Sequence, residues 1–548
     1  MNRKRRTSTL AAGLAAALLL SGCGARGSDA TGTATAAVDP ASLVDSLTAG
    51  TGDVDQVTWA VVEGEPATLD PGTSAQLITP NLCDNLLTLN PDFSISAGVA
   101  TSAEFTDPTT LKIDLREDVT FWDGSKLTPE DVVYSLQRGQ NPASQWYAAF
   151  VLVKDIKVTG AHQVTVTFTA PDLSFRDAIS GAAGAVMSKA FGGRVGKSLG
   201  TSDGGLMCTG PYELATGAWV PGDSITTTAN AEYWGGAPKV KTLKYVFVTD
   251  SSTLTTALTT GDIDGAYNVP TTSRSAFESS GAGRLTLGQS TASNSFGPAT
   301  DEGAAANPKV RLALSYAIDR TQYVDTVMNG LGYVQNTMVA PFAFSHAAAA
   351  STYQAGYDDL EAPTKDLDKA KQLLAESGED LTKPLVLAIP AGATEMQRTA
   401  QIIQAAAKEI GVTININEMQ AADFGALFYD ASGRSGVDFV ATTGYIETPS
   451  VFGYPSLFTL PVDQGGVFNW SGYSDAGVTS KLQAARTATD AESAAKDFVE
   501  AQAIFTPAQL QITLAGAYQS SYLNNDLSGI TTSIAIYSSP WALHLGAK

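Results

Sequence analysis

The sequence predicts an α/β protein on three observations: short runs with strand alternation, apolar faces at helical spacing, and the interleaving of the two from residue 110 to residue 417. Thr110 to Arg116 alternates, with Leu111, Ile113 and Leu115 on one face; after Phe121-Trp122, Asp123-Gly124 predicts a tight turn. A helix follows. Thr128 sits at its N-cap, Pro129 at its first position, where a missing N–H costs nothing, and Glu130 and Asp131 in the first turn; Val132, Val133 and Leu136 supply the buried face. Val164 to Phe168 alternates as another strand. Val240 to Thr249 and Leu254 to Thr260 predict strand then helix, ended by Gly261. Val310 to Met328 predicts one helix, Lys369 to Ser377 a second, Leu385 to Ile389 a strand, Met396 to Ile410 a helix and Val412 to Asn417 a strand.

The beginning of the chain carries an address. Basic Arg3, Lys4, Arg5 and Arg6 precede an apolar run from Leu10 to Leu20, and Leu20-Ser21-Gly22-Cys23 supplies the small residues and the thiol that lipoprotein processing requires. Residues 1–22 are therefore expected to be a signal peptide and Cys23 the lipidated residue. The alternatives are an ordinary signal peptide or a short membrane anchor, but the run is about half the length of a spanning helix. Residues 23–55, rich in Gly, Ala, Thr, Ser and Asp, are expected to be a flexible tether, with folding starting near Val57.

The remaining stretch of about 490 residues is too long for one core and predicts two or three domains. Formal charge is −21, and removing the four basic residues of the leader takes it to −25. Such a body repels nucleic acid and anionic lipid surfaces alike, so no nucleic-acid partner is expected. Beyond Cys23 the only cysteines are Cys83 and Cys208; outside the cell a disulfide is the default expectation, two buried free thiols the alternative.

No chemistry-bearing constellation emerges. His162, His346 and His544 are the only histidines and are far apart, without H-x-H or H-E-x-x-H spacing, so neither a metal site nor a cofactor is expected. There is no G-x-S-x-G elbow and no phosphate loop. Gly261-Asp262-Ile263-Asp264-Gly265 lacks the glutamate of a calcium loop and reads as a polar turn.

Four segments, taken in order, resemble the family 5 extracellular solute-binding proteins, the dipeptide and oligopeptide receptors of ABC importers. They are Leu111 to Arg138, with Leu115-Arg116-Glu117-Asp118-Val119-Thr120-Phe121-Trp122-Asp123-Gly124; Thr209-Gly210-Pro211-Tyr212 with Asn230 to Pro238; Val310 to Arg320; and Gly472-Tyr473-Ser474-Asp475. Their glycines, prolines and charges read as structural, Arg311 and Asp319 as helix anchors.

The resemblance implies a two-lobed fold of the periplasmic-binding-protein type (type II, with an extra inserted subdomain). Lobe 1 would comprise a core of 57–84, 207–290 and 508–548 and an insertion of 85–206, with 291–507 as lobe 2. It implies a monomer without enzymatic activity, lipid-anchored outside the membrane, that closes on a peptide or other small-molecule ligand and serves ABC permease subunits. The stretch Gly444-Tyr445-Ile446-Glu447 matches the place where relatives capture a peptide's α-amino group, with Tyr in place of Trp; Glu447 is then either the ammonium partner or a surface carboxylate. Asn294, Phe296, Trp146, Tyr147 and Gln76 complete the expected ligand-binding set, each aromatic equally eligible for core or cleft. Within the same fold a non-peptide solute such as an oligosaccharide, or a peptide-sensing role, stands as the alternative; a secreted hydrolase is the opposing class.

Overall fold

The computed structural model describes residues 38–73, 77–361, 363–428, 430–444 and 450–548. Three sheets organise them. Strand Val54–Val61 lies inside an eight-stranded sheet, parallel to both Val240–Phe247 and Gly265–Tyr267. Gln519–Asn524 and Gly283–Gly288 extend that sheet on one side, Ser224–Ala229 and Tyr212–Glu213 on the other. Its core is built on aromatic packing: Trp59 is fully buried, with its ring 4.5 Å from Trp541 and 4.8 Å from Tyr267.

A six-stranded sheet carries Ser293–Pro298 between Phe439–Gly444 and Ile512–Ala517. Leu385–Pro390 runs parallel to Phe439–Gly444 and to Ile414–Met419, and helix Thr394–Glu409 makes the crossover between them. The two large sheets are joined by residues 289–292 and by Tyr518, which separates Ile512–Ala517 from Gln519–Asn524. Residues 512–517 were expected in the core of lobe 1, yet they pair with Ser293–Pro298 and Gly332–Tyr333 in the six-stranded sheet. Their near-continuous burial suits a strand covered on both faces and gives no hint of which sheet it joins.

The third sheet is antiparallel, ordered Ala100–Asp107, Thr110–Leu115, Gln163–Phe168, Val153–Gly160. Leu111, Ile113, Val164 and Val166 are fully buried on the face covered by helix Pro129–Gly139. That helix starts as expected: the Asp131 carboxylate accepts from the Thr128 N–H at 2.9 Å and from its hydroxyl at 2.6 Å. Gly124 adopts φ +80°, and its N–H donates to the Phe121 carbonyl at 2.9 Å, closing the turn.

Cys83 and Cys208 form a disulfide with Cα atoms 4.9 Å apart across a separation of 125 residues. Beside it, buried Asp84 gathers three donors: Thr209 Oγ1 at 2.8 Å, Tyr233 Oη at 2.7 Å and Trp234 Nε1 at 3.0 Å. The Arg116 guanidinium lies 4.4 Å from the Trp234 ring centre. Two of the four recognisable sequence segments therefore meet at the neck of the insertion, where they hold the fold.

Two expectations change. The stretch from Val310 to Met328 is two helices, Pro308–Ala317 and Arg320–Thr326, because Asp319 takes an extended conformation and its carboxylate caps a new start at the Gln322 N–H. Arg320 is 5% exposed and satisfied by carbonyls of Ser315, Pro363 and Thr513. Residues 38–55, expected within the tether, are packed. Val44 and Leu47 donate to Leu287 and Ile530 carbonyls, Gly52 bridges Ala547, and the strand begins at Val54. Backbone pairing with the C-terminal segment orders them, a partner that local composition does not reveal.

Candidate functional site

A cleft of about 1230 Å³ separates the insertion from the six-stranded half. On the insertion side it is lined by residues between Pro142 and Leu152 and between Ala170 and Ala183. Across from them lie Val440 to Gly444 at the end of a strand, helix Gly453–Thr459, the last turns of helix Ala476–Thr487, and an aromatic wall. In that wall Phe428 stands 5.6 Å from Trp470 and 5.8 Å from Phe424, and Phe468 stands 5.9 Å from Phe458. Arg434, its guanidinium 4.4 Å from the Trp470 ring centre, donates to the Leu427 carbonyl at 2.6 Å and holds that ring in place.

Among the described residues one ion pair crosses the cleft. Arg486 donates through Nε and Nη2 to Asp172 at 3.0 and 2.6 Å, and through Nη1 and Nη2 to the carbonyls of Ala148 and Ala149 at 2.9 and 3.2 Å. The Asp172 side chain is 0% exposed, and its other oxygen accepts from Ser174 Oγ at 2.6 Å. A helix of the six-stranded half is thereby clasped to the insertion.

Asp177, five residues beyond Asp172, has its carboxyl pushed up to about 6, mainly by burial, with Arg176 opposing the effect and the charge of Asp172 adding to it. The folded protein thus holds this proton more tightly than the unfolded chain does. The ionised carboxylate costs stability above pH 6, and the cost is relieved as pH falls toward 4. Asp177→Asn should therefore raise thermal stability at pH 7.5 by about 2 kcal/mol, with the gain vanishing near pH 4 in a melting series.

Of the expected ligand-binding residues, Trp146 and Gly444 line the cleft. Trp146 is fixed by its Nε1 donating to the Pro71 carbonyl at 2.6 Å. Tyr147 is half-buried on the adjoining turn and does not line it. Asn294, 2% exposed, spends its amide on Tyr323 Oη at 3.1 Å, Glu395 Oε1 at 2.9 Å and the Thr443 hydroxyl at 3.2 Å. It braces the cleft strand from behind. Phe296 is fully buried, 5.5 Å from Phe439, and belongs to the core: its strand is covered on both faces, so an inward ring has no route to the cleft. Tyr445, Glu447, Gln76 and Cys23 lie outside the described residues; Gly444 and Ser450, flanking 445–449, both line the cleft.

Gly444 has a packing reason to be glycine. A Cβ there would fall 1.8 Å from Tyr454 Oη. Gly444→Ala should displace the Tyr454 ring and cost about 1–3 kcal/mol, readable as a lower denaturant midpoint.

Neither the aromatic wall nor the Arg486–Asp172 clasp was expected from the sequence. The alternation Phe468-Asn469-Trp470, directly before Gly472-Tyr473-Ser474-Asp475, was the available signal for the wall; nothing local pairs Asp172 with an arginine 314 residues away.

The sequence profile of the bacterial extracellular solute-binding proteins, family 5 (middle region), matches residues 94–465, more than half of the chain. The chain belongs to this family. As an extracytoplasmic solute-binding protein it is 27% identical over 451 residues to the glutathione-binding protein GsiB of Salmonella typhimurium, covering 80% of this chain and 84% of that one. Its fold matches AgaA of A. tumefaciens R10, solved with agropinic acid (TM-score 0.79, 21% identity, 90% of this chain and 99% of that one). It also matches the oligopeptide-binding protein AppA of Bacillus subtilis, solved with a nonapeptide (TM-score 0.78, 18% identity, 91% and 99%). The α/β architecture of this solute-binding protein is thus that of the peptide-binding type of periplasmic binding proteins. Among its described residues no helix is long and apolar enough to cross a membrane, and no group of three or more His, Cys, Asp or Glu is placed to hold a metal.

Proposed function

We propose that this solute-binding protein is a lipid-anchored receptor, acylated at Cys23, that captures peptides in the cleft, performs no chemistry on them and delivers them to the permease of an ABC importer. The observation that carries the reading is the cleft itself. Its volume of about 1230 Å³ exceeds the ~300–1,000 Å³ of ordinary small-molecule sites and suits a ligand of several residues. The names of the relatives support it: GsiB is a glutathione-binding protein, and AppA was solved with a nonapeptide.

In this reading lobe 1 comprises the eight-stranded sheet with the 85–206 insertion, lobe 2 comprises residues 293–517, and 289–292 with Tyr518 form the hinge. The ligand's ammonium is assigned to Glu447, and Tyr445 and Gln76 to the ligand-binding set, from their places in the sequence. Closure puts Trp146 and Trp470, one from each side, against the ligand.

Titrating the protein with a casein digest of short peptides should change its tryptophan fluorescence saturably, and Glu447→Gln should weaken that response at least tenfold. A flat titration would count against peptide capture. For the anchor, wild-type protein expressed in cells fed radiolabelled palmitate should carry label and partition into detergent, and Cys23→Ser should do neither.

A further inference from the structure

Resting on the peptide reading of the same cleft, we infer that the enclosed part of the ligand is apolar or aromatic and carries no carboxylate, so that the protein takes neutral or cationic peptides and rejects anionic ones such as glutathione. The charged side chains among the described lining residues are Asp463 and Arg486. Arg486 is committed: its charge faces buried Asp172, and three of its nitrogens already donate to that carboxylate and to two carbonyls. The sequence stretches 74–76, 429 and 445–449, outside the described residues, contain no Lys, Arg or His, and their single charge is Glu447. A ligand carboxylate entering here would lose water and meet no uncommitted cation among the described lining residues, Arg434 being stacked on Trp470 and not itself lining the cleft, which is costly wherever burial is nearly complete.

Helix ends point the same way. Leu482, Gln483, Arg486 and Thr487 bring the C-terminal, electronegative end of helix Ala476–Thr487 to the cleft. The sixteen-residue helix Thr394–Glu409, which reaches the cleft at Met396, has Glu395 in its first turn, so its positive end is already answered. The formal charge of −21 repels anions at longer range. What the lobe 2 side does offer is ring surface, from Phe424, Phe428, Phe468 and Trp470, which gains from burying apolar side chains.

The test is calorimetric titration of the full chain with four probes: Ala-Phe-Leu-Phe amide, Ala-Phe-Leu-Phe with a free C-terminus, Ala-Glu-Leu-Glu, and glutathione. The amide should bind at least as tightly as the free acid, and Ala-Glu-Leu-Glu and glutathione at least about 100-fold more weakly. Trp470→Ala should lower the affinity for the amide about tenfold or more. Glutathione or Ala-Glu-Leu-Glu binding as tightly as the amide overturns this inference and leaves peptide capture standing. Silence from all four probes overturns peptide capture and the inference together.

Discussion

Replacing Cys83 and Cys208 by serine is expected to destabilise the protein by about 4–5 kcal/mol, the chain-entropy value for a closed loop of this length. The bond closes 125 residues, nearly the whole insertion, at the point where the chain leaves the eight-stranded half and returns to it. Its loss also bears on Asp84, the next residue, whose carboxylate depends on donors from the returning chain across the neck: Thr209, Tyr233 and Trp234. Guanidinium unfolding of wild-type and Cys83→Ser/Cys208→Ser proteins, followed by tryptophan fluorescence, gives the difference. A loss below about 1 kcal/mol would mean that the neck is held by the Asp84 node alone.

The second large effect is expected at Arg486. Arg486→Leu leaves the Asp172 carboxylate buried without its cation, a change that typically costs about 3–5 kcal/mol. Because the pair joins the insertion to a helix of the six-stranded half, the cost falls on the arrangement that brings the two cleft walls together. An equilibrium between closed and open forms should then shift by a factor of about 100 or more toward the open form. Small-angle scattering should report a larger radius of gyration for Arg486→Leu, and Arg486→Leu/Asp172→Leu should recover most of the lost stability, since a matched apolar pair leaves no charge behind. An unchanged radius and unchanged melting for the single variant would show that the clasp contributes nothing to closure.

These two sites differ in how far they could be read from sequence. The disulfide was legible because only two cysteines remain after Cys23, and an exported chain makes their pairing the default. The strand at Thr110–Leu115 and the Thr128-capped helix were legible because alternation and capping are local codes. The break at Asp319 was visible only in part: an Asp within an apolar helical pattern reads as an exposed position until the backbone is seen to turn there. The packing of residues 38–55 was not legible at all, since their partners lie far along the chain, at Lys239, at Leu287 and at 530–547. The cleft divides in the same way. Trp146 was readable from its place in the insertion and Gly444 from the segment around it, whereas Phe296 was drawn into the expected set by its position in the chain, although burial against Phe439 makes it core. Arg486 and Asp172 meet only because two halves of the protein close on each other, and no periodicity encodes that.

The central claim is that the cleft between the insertion and the six-stranded half exists to hold a peptide. The measurement that bears on it most directly is native mass spectrometry of the full chain, released gently from detergent, with fragmentation of whatever leaves it. The account predicts a set of adducts that fragment as short peptides, poor in Asp and Glu and rich in apolar residues, and that are lost from Glu447→Gln. A single non-peptide mass, or a ladder of hexose spacings, would contradict it.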